Sequence, residues 1–226
     1  MPRGPRSAPG GLVCHVLNRG VNRQILFSKD EDYAAFERIM AQGLQRIPMR
    51  ILSYLLMPNH WHMVLWPAAD GHLTAWLRWV TNTHTQRWRA HYHNAGLGHV
   101  YQGRFKSFPV HDDPHFLIVS RYVERNALRA GLVERAEDWR WSSLWRRQHG
   151  QAEMLSEWPV LRPHDWVEWV NQPQTAGELS ELRQAVCRSR PFGSETWERE
   201  TAVRLGLEST LRPLGRPRAA AQGATT

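Results

Sequence analysis

Lysine and cysteine are nearly absent. Only Lys29 and Lys106 are lysines among 29 basic residues, and Cys14 and Cys187 are the two cysteines of 226 residues. The cysteines lie far apart without CxxC spacing, which excludes a disulfide framework and a thiolate zinc cage. No apolar run approaches the roughly 20 residues a bilayer span requires, so no membrane partner is expected. The opening MPRGPRSAPGG carries charge without an apolar segment and does not read as a signal peptide. No internal repeat is visible. What is plentiful is apolar: 42% hydrophobic residues with 12 Trp and 6 Phe argue against wholesale disorder and suffice for one sizeable core. The expectation is a soluble, cytoplasmic chain.

Removing two lysines from 29 basic residues leaves 27 arginines, and the formal net charge is +8. A GC-rich genome would favour arginine by itself, yet a guanidinium also offers phosphates a planar fork and stacks on aromatic faces. Residues 1–110 carry net +8, 111–147 net +1, 148–182 net −5 and 183–226 net +4. Two basic regions separated by an acidic one suggest two contacts with a polyanion, nucleic acid foremost.

Alternation predicts a short strand over Val13–Asn18. Ser28 is a good N-cap for a helix in which Tyr33, Phe36, Ile39, Met40 and Leu44 fall at helical spacing, and Pro48 ends it. Met49–Leu56 and His60–Trp66 read as a hairpin about Met57-Pro58-Asn59. Leu73 to about His91 is a long amphipathic helix with His84 as the polar member of its apolar side. Tyr101–Val110 could form another strand. Asp112 or Asp113 caps a helix with Pro114 in its first turn, and Gly131 stops it. Trp139, Trp141 and Trp145 pack a closing segment. The order β-α-β-β-α-β followed by a further helix predicts an α+β, ferredoxin-like antiparallel sheet with helices on one face and a C-terminal helical, basic extension. The divisions expected are a flexible arm over 1–11, a catalytic domain over 12–147, an acidic, Pro-broken connection over 148–190 with Pro191-Phe192-Gly193 as a hinge, and a basic tail over 191–226 in which Ser194 caps a short helix.

In His60-Trp61-His62, strand alternation puts both imidazoles on one face and Trp61 on the other. Such a pair can hold one divalent ion given a third ligand, or can simply be partly exposed sheet histidines. His91 and His93 sit at a helix end, where positions two apart diverge by roughly 200°, so that pair is set aside. Tyr122 and Asn126 are four apart on a helix and share a face, which suits either a tyrosine and an oxygen ligand approaching one point or an ordinary core tyrosine with a polar neighbour. The run His111-Asp112-Asp113-Pro114-His115 could be read as a metal cluster, but Pro114 and the helix start favour capping. Arg19, Arg23, Arg104 and Lys106, in or beside strands, are candidates for phosphate contacts or else a solvated basic surface. Tyr101, Phe105 and Trp66 could stack on bases, although core packing is the safer reading.

MPNHWHMVLWP resembles the signature strand of the HUH single-tyrosine transposases, in which two histidines flank a hydrophobic residue. RYVERNALRAGLV resembles their tyrosine helix and GRFKSFPV the strand before it, while HVLNRGVNRQILF and WRWSSL also match. The tail SETWERETAVRLGLESTLRPLGRPR is similar to that of the REP-associated tyrosine transposases (RAYTs). The resemblance spans about residues 12–218, with Ala127 standing where many relatives have proline. It implies metal-dependent cleavage and strand transfer of single-stranded DNA at hairpin-forming, REP-like sequences. His60, His62 and Asn126 would hold Mg²⁺ or Mn²⁺, and Tyr122 would form a 5′-phosphotyrosine. A phenol ordinarily ionises near pH 10, so a positive site is needed to favour its attack. Arg212, Arg216 and Arg218 would contact DNA from the tail, where Gly215-Arg216-Pro217-Arg218 resembles a minor-groove arm. The partner implied is single-stranded or hairpin DNA, the place of action the nucleoid, and the state monomer or homodimer. Two alternatives stand beside this: a domesticated hairpin-binding protein with little turnover, and a nuclease in which water attacks.

Overall fold

The chain is described by a computed structural model that covers residues 9–93, 96 and 98–212. The first six elements are β1 (Val13–Arg19), α1 (Asp30–Leu44), β2 (Met49–Met57), β3 (His60–Pro67), α2 (His72–His91) and β4 (Lys106–Val110). The strands form one sheet in the order β2-β3-β1-β4, with every pair antiparallel. This is the expected ferredoxin-like arrangement. Phe36, Ile39 and Met40 of α1 and Trp76, Leu77 and Val80 of α2 are fully buried against Val16, Trp61 and Met63 of the sheet. The turn at Pro58 and Asn59 sets Met57 opposite His60, and that register decides which face each later β3 residue occupies.

Local chemistry moves some boundaries. The N-cap of α1 is Lys29, one residue after the serine that the sequence favours. The Asp32 carboxylate accepts from the Ser28 amide, the Ser28 hydroxyl and the Lys29 amide at 2.9, 3.0 and 3.3 Å, so a charged acceptor inside the first turn displaces the hydroxyl from that role. β4 begins only at Lys106, because Tyr101 turns inward. Its ring is buried, with the hydroxyl 2.7 Å from His84 Nδ1 and 3.4 Å from Trp61 Nε1. Phe105 is buried too, and the Arg50 guanidinium covers the Trp66 ring at 3.3 Å. Core packing therefore occupies Tyr101 and Phe105, while Trp66 is half-buried at the margin of the core.

The second face of the sheet is also covered. α3 (Pro114–Glu124) and α7 (Ala176–Arg188) lie on it, α4 (Asn126–Arg129) and α6 (Trp166–Asn171) pack on α3, α5 (Ser143–Gln148) runs beside β2, and α8 (Glu195–Leu205) follows α7 in the chain. Phe116, Val119 and Val123 of α3 and Leu182 and Ala185 of α7 pack with Val13, Val64, Phe108 and Val110. The acidic region is thus more than a connection, since its helices dock on the sheet and on α3. Pro191-Phe192-Gly193, expected as a hinge, runs beside β4 instead. Phe192 donates to the Pro109 carbonyl and accepts from His111, both at 2.9 Å. Burial of the Phe192 ring drives this, and Gly193 permits it, because a Cβ there would come within 2.7 Å of both His111 and Trp197. Trp141 closes the opposite side, stacked on Tyr33 at 4.9 Å.

Candidate active site

The β1–β3 register builds the site. His60, His62 and Val64 share the face turned toward α3, and they pair with Arg19, Leu17 and His15 respectively. Trp61 points the other way into the core, as alternation requires. The His60 and His62 ring centroids are 5.1 Å apart. Asn59 fixes the protonation of His60. The Asn59 amide nitrogen donates to the Arg23 carbonyl at 3.3 Å, so its oxygen, 2.7 Å from His60 Nδ1, accepts a hydrogen bond from the N–H at that position. Nε2 of His60 is then left with its lone pair.

Burial, reinforced by Arg19 and then Arg129, lowers the pKa of His60 to about 4. Burial, then the neighbouring His15 and His60 rings and lastly Arg129 and Arg19, takes His62 well below the usual imidazole range. Both rings are neutral at neutral pH, the form in which imidazole binds metal. A third histidine stands behind them. His15 is fully buried, and its Nε2 shares a 3.0 Å hydrogen bond with His62 Nδ1.

The helix α3 brings Tyr122 over these rings, with centroid separations of 5.8 Å to His62 and 6.3 Å to His15. The ring is buried, and among the described residues its hydroxyl makes no hydrogen bond within the chain. Arg125 keeps near-helical angles between α3 and α4, so Asn126 falls one turn beyond Tyr122 and donates from Nδ2 to the Tyr122 carbonyl at 2.7 Å. Its Oδ1 accepts from Arg129 at 2.5 Å, and the Arg129 guanidinium lies 4.9 Å from the Tyr122 ring centre. The donor set of two neutral imidazoles and one amide oxygen suits a divalent ion of intermediate hardness. Two imidazole nitrogens and the second lone pair of the Asn126 oxygen fit that requirement.

The cationic candidates are dispersed. Arg19 is half-buried opposite His60, whereas Arg23, Arg104 and Lys106 are exposed at the turn and along the β4 approach. Arg212 is exposed and its carbonyl accepts from Arg188. Arg216 and Arg218 lie outside the described residues. At the far end of α3, Asp113 is the N-cap and accepts from the His115 amide at 2.8 Å, as capping predicts. The same carboxylate contacts the Nδ1 atoms of His111 and His115 at 2.8 Å, forming a His-Asp-His group.

Sequence reasoning missed His15, Asn59 and Arg129. A signal for His15 existed: a ferredoxin-like sheet sets β1 beside β3, and a histidine within β1 can then face the paired imidazoles. Arg129 carried no comparable mark.

The chain belongs to the IS200-like transposase family, whose model, described as "Transposase IS200 like", matches residues 10–126. That stretch holds all four strands and α3, and ends at Asn126. A solved REP-associated tyrosine transposase bound to a REP hairpin is 18% identical, covering 78% of this chain and 96% of that one, with a TM-score of 0.54. The likeness is one of fold. A Deinococcus radiodurans R1 protein classed with transposases covers 55% of this chain and 96% of its own at 14% identity, and its TM-score of 0.39 carries no argument. No curated protein matches the chain. Among the described residues no helix is long and apolar enough to cross a membrane.

Proposed function

We propose that this protein is a REP-associated tyrosine transposase that cleaves and rejoins single-stranded DNA at hairpin-forming sequences, with Tyr122 as nucleophile. The observation that carries this reading is the placement of the Tyr122 ring 5.8 Å from His62, itself 5.1 Å from His60. His60, His62 and Asn126 would hold Mg²⁺ or Mn²⁺. When bound, such an ion supplies positive charge to the non-bridging oxygens of a scissile phosphate and to the departing oxygen.

The remaining steps belong to the chain. Tyr122 lies under Arg129, whose charge offsets that of the phosphate under attack and of the product phosphodiester. The Tyr122 oxygen attacks phosphorus as the bond to the 3′-oxygen breaks, and the proton the phenol gives up balances the one the 3′-oxygen takes to become a 3′-hydroxyl. The 5′-phosphotyrosine keeps the phosphodiester energy, so a second 3′-hydroxyl can reverse the attack and join strands. Arg19 contacts phosphate beside His60, with Arg23, Arg104 and Lys106 along the approach. Residues 12–147 form the catalytic domain in this reading, and the segment from 191, with Arg212, Arg216 and Arg218, contributes hairpin contacts.

One observation favours the second reading, hairpin binding without turnover: Arg129 already occupies the Asn126 oxygen. Incubation of the protein with a hairpin-bearing single strand and Mn²⁺ distinguishes the two. A covalent protein–DNA adduct that disappears in Tyr122→Phe supports strand transfer. Tight hairpin binding without an adduct under any divalent ion supports the binder, and cutting retained by Tyr122→Phe points to attack by water.

A further inference from the structure

The proposed chemistry leaves one group without a task. His15 sits in the middle of β1 with no exposure to solvent, packed against Phe108 at 4.8 Å between ring centroids. Its Nε2 bonds His62 at 3.0 Å, while its Nδ1 is buried with no hydrogen-bond partner. An apolar side chain would fill this position without leaving a nitrogen unpaired.

We propose that His15 is a positioning residue: it accepts a hydrogen bond from Nδ1–H of His62 and so keeps the other nitrogen of that ring unprotonated for the divalent ion. The inference rests on the reading of His60 and His62 as ligands. A neutral imidazole carries a single proton. If His15 were the donor, the proton of His62 would sit on Nε2 and close that atom to metal. If His62 donates, Nε2 is open and the proton of His15 moves to its Nδ1, the atom found without a partner. His60 has no such choice, because the Asn59 oxygen can only accept. The two ligands are thereby oriented by different devices, an amide for the rim ring and a histidine for the buried one.

The choice of histidine has an electrostatic consequence. Ligating imidazoles are commonly oriented by a carboxylate or a carbonyl. A carboxylate directly behind His62 would add negative charge close to the phosphodiester that the site has to admit. A neutral imidazole gives the same orientation without that repulsion.

Two measurements test this. In protein labelled with ¹⁵N-histidine and loaded with Mg²⁺, long-range ¹H–¹⁵N correlations should show His62 protonated at Nδ1 and bare at Nε2. Mn²⁺ titration calorimetry on wild type, His15→Leu and His15→Gln provides the second. His15→Leu should weaken Mn²⁺ binding by roughly 10- to 100-fold, the usual effect of losing an orienting partner. The Gln oxygen can accept the same bond, so His15→Gln should stay within about threefold of wild type. A proton on Nε2 of His62 in the loaded protein, a His15→Leu affinity within about threefold of wild type, or a His15→Gln loss as large as that of His15→Leu would each overturn the proposal. If the Leu variant does not fold, the wild-type spectrum decides. Failure of His60→Ala and His62→Ala to change Mn²⁺ binding would instead remove the proposed function, and this inference with it.

Discussion

Arg121 precedes the tyrosine and ties α3 to the C-terminal helices, which makes its removal a quantitative test of how the tyrosine helix is held. The side chain is 4% exposed. Nε donates to the Trp169 carbonyl at 2.9 Å, and Nη2 donates to those of Gln172 and Pro173 at 2.9 and 3.0 Å. The guanidinium also lies 4.9 Å from the Trp169 ring centre and 3.5 Å from Glu178. In effect it caps the C-terminal end of α6, binding the Trp169 carbonyl in its last turn and the Gln172 and Pro173 carbonyls just beyond it, where a cation is favoured by the helix dipole.

In Arg121→Met the aliphatic packing survives and these polar contacts are lost. Gln172 and Pro173 are exposed, so water can satisfy their carbonyls, and each lost bond then weighs about 1 kcal/mol rather than the full desolvation penalty. Glu178 keeps its own bond to the Thr175 amide and is not stranded. The expected loss is about 3 kcal/mol, or a fall in Tm of roughly 6–12 °C for a chain of this size. Arg121→Lys keeps the charge but cannot span three carbonyls, and should recover about 1 kcal/mol of it. Urea unfolding followed by circular dichroism reads both variants. A loss below about 1 kcal/mol for Arg121→Met, or full recovery by Arg121→Lys, would refute the capping argument.

Three further outcomes are expected. Burial takes the pKa of His84 to about 4, against a smaller opposing effect of Asp32. Between that value and the ordinary value near 6.5 the unfolded chain binds more protons, so stability falls as pH drops through this window, by about 3 kcal/mol for this group. The slope of unfolding free energy against pH should flatten in His84→Gln, and an unchanged slope would contradict the assignment. Arg129→Met frees the Asn126 oxygen and removes a cation from beside both imidazoles, so Mn²⁺ binding should tighten by roughly fivefold, about 1 kcal/mol; calorimetry that shows no change or a weakening would argue against the ligand set. Phe192→Ala removes the buried ring that docks the C-terminal segment on β4 and should destabilise that docking by about 3 kcal/mol. Limited proteolysis should then cut near residue 190 while the preceding domain persists, and resistance equal to wild type would show that other contacts hold the segment.

The sheet and its two covering helices were legible because their information is local. Alternation marks β1 and β3, the apolar stripe of Tyr33, Phe36, Ile39 and Met40 marks α1, and Pro58-Asn59 marks the hairpin turn. The convergence of Tyr122 on His60-Trp61-His62 is not local, and it came from family resemblance. What escaped depends on tertiary partners. His15 meets His62 only across the β1–β3 pairing, and Arg129 folds back from α4 onto Asn126. Phe192 abandons a turn-like Pro-Phe-Gly context because an apolar cleft beside β4 accepts its ring. The acidic stretch offered few apolar residues to mark α7, yet Leu182 and Ala185 suffice to bury one face of it.

The central claim is that Tyr122 becomes covalently joined to DNA, and peptide mapping of the trapped adduct tests it most directly. Protein incubated with a hairpin-bearing single strand and Mn²⁺, then digested with protease and nuclease, should yield one modified peptide. Tandem mass spectrometry should place a nucleotide on Tyr122 through its 5′-phosphate, with a free 3′-hydroxyl on the released strand. Modification at any other residue, or a 3′-phosphate linkage, would contradict the account.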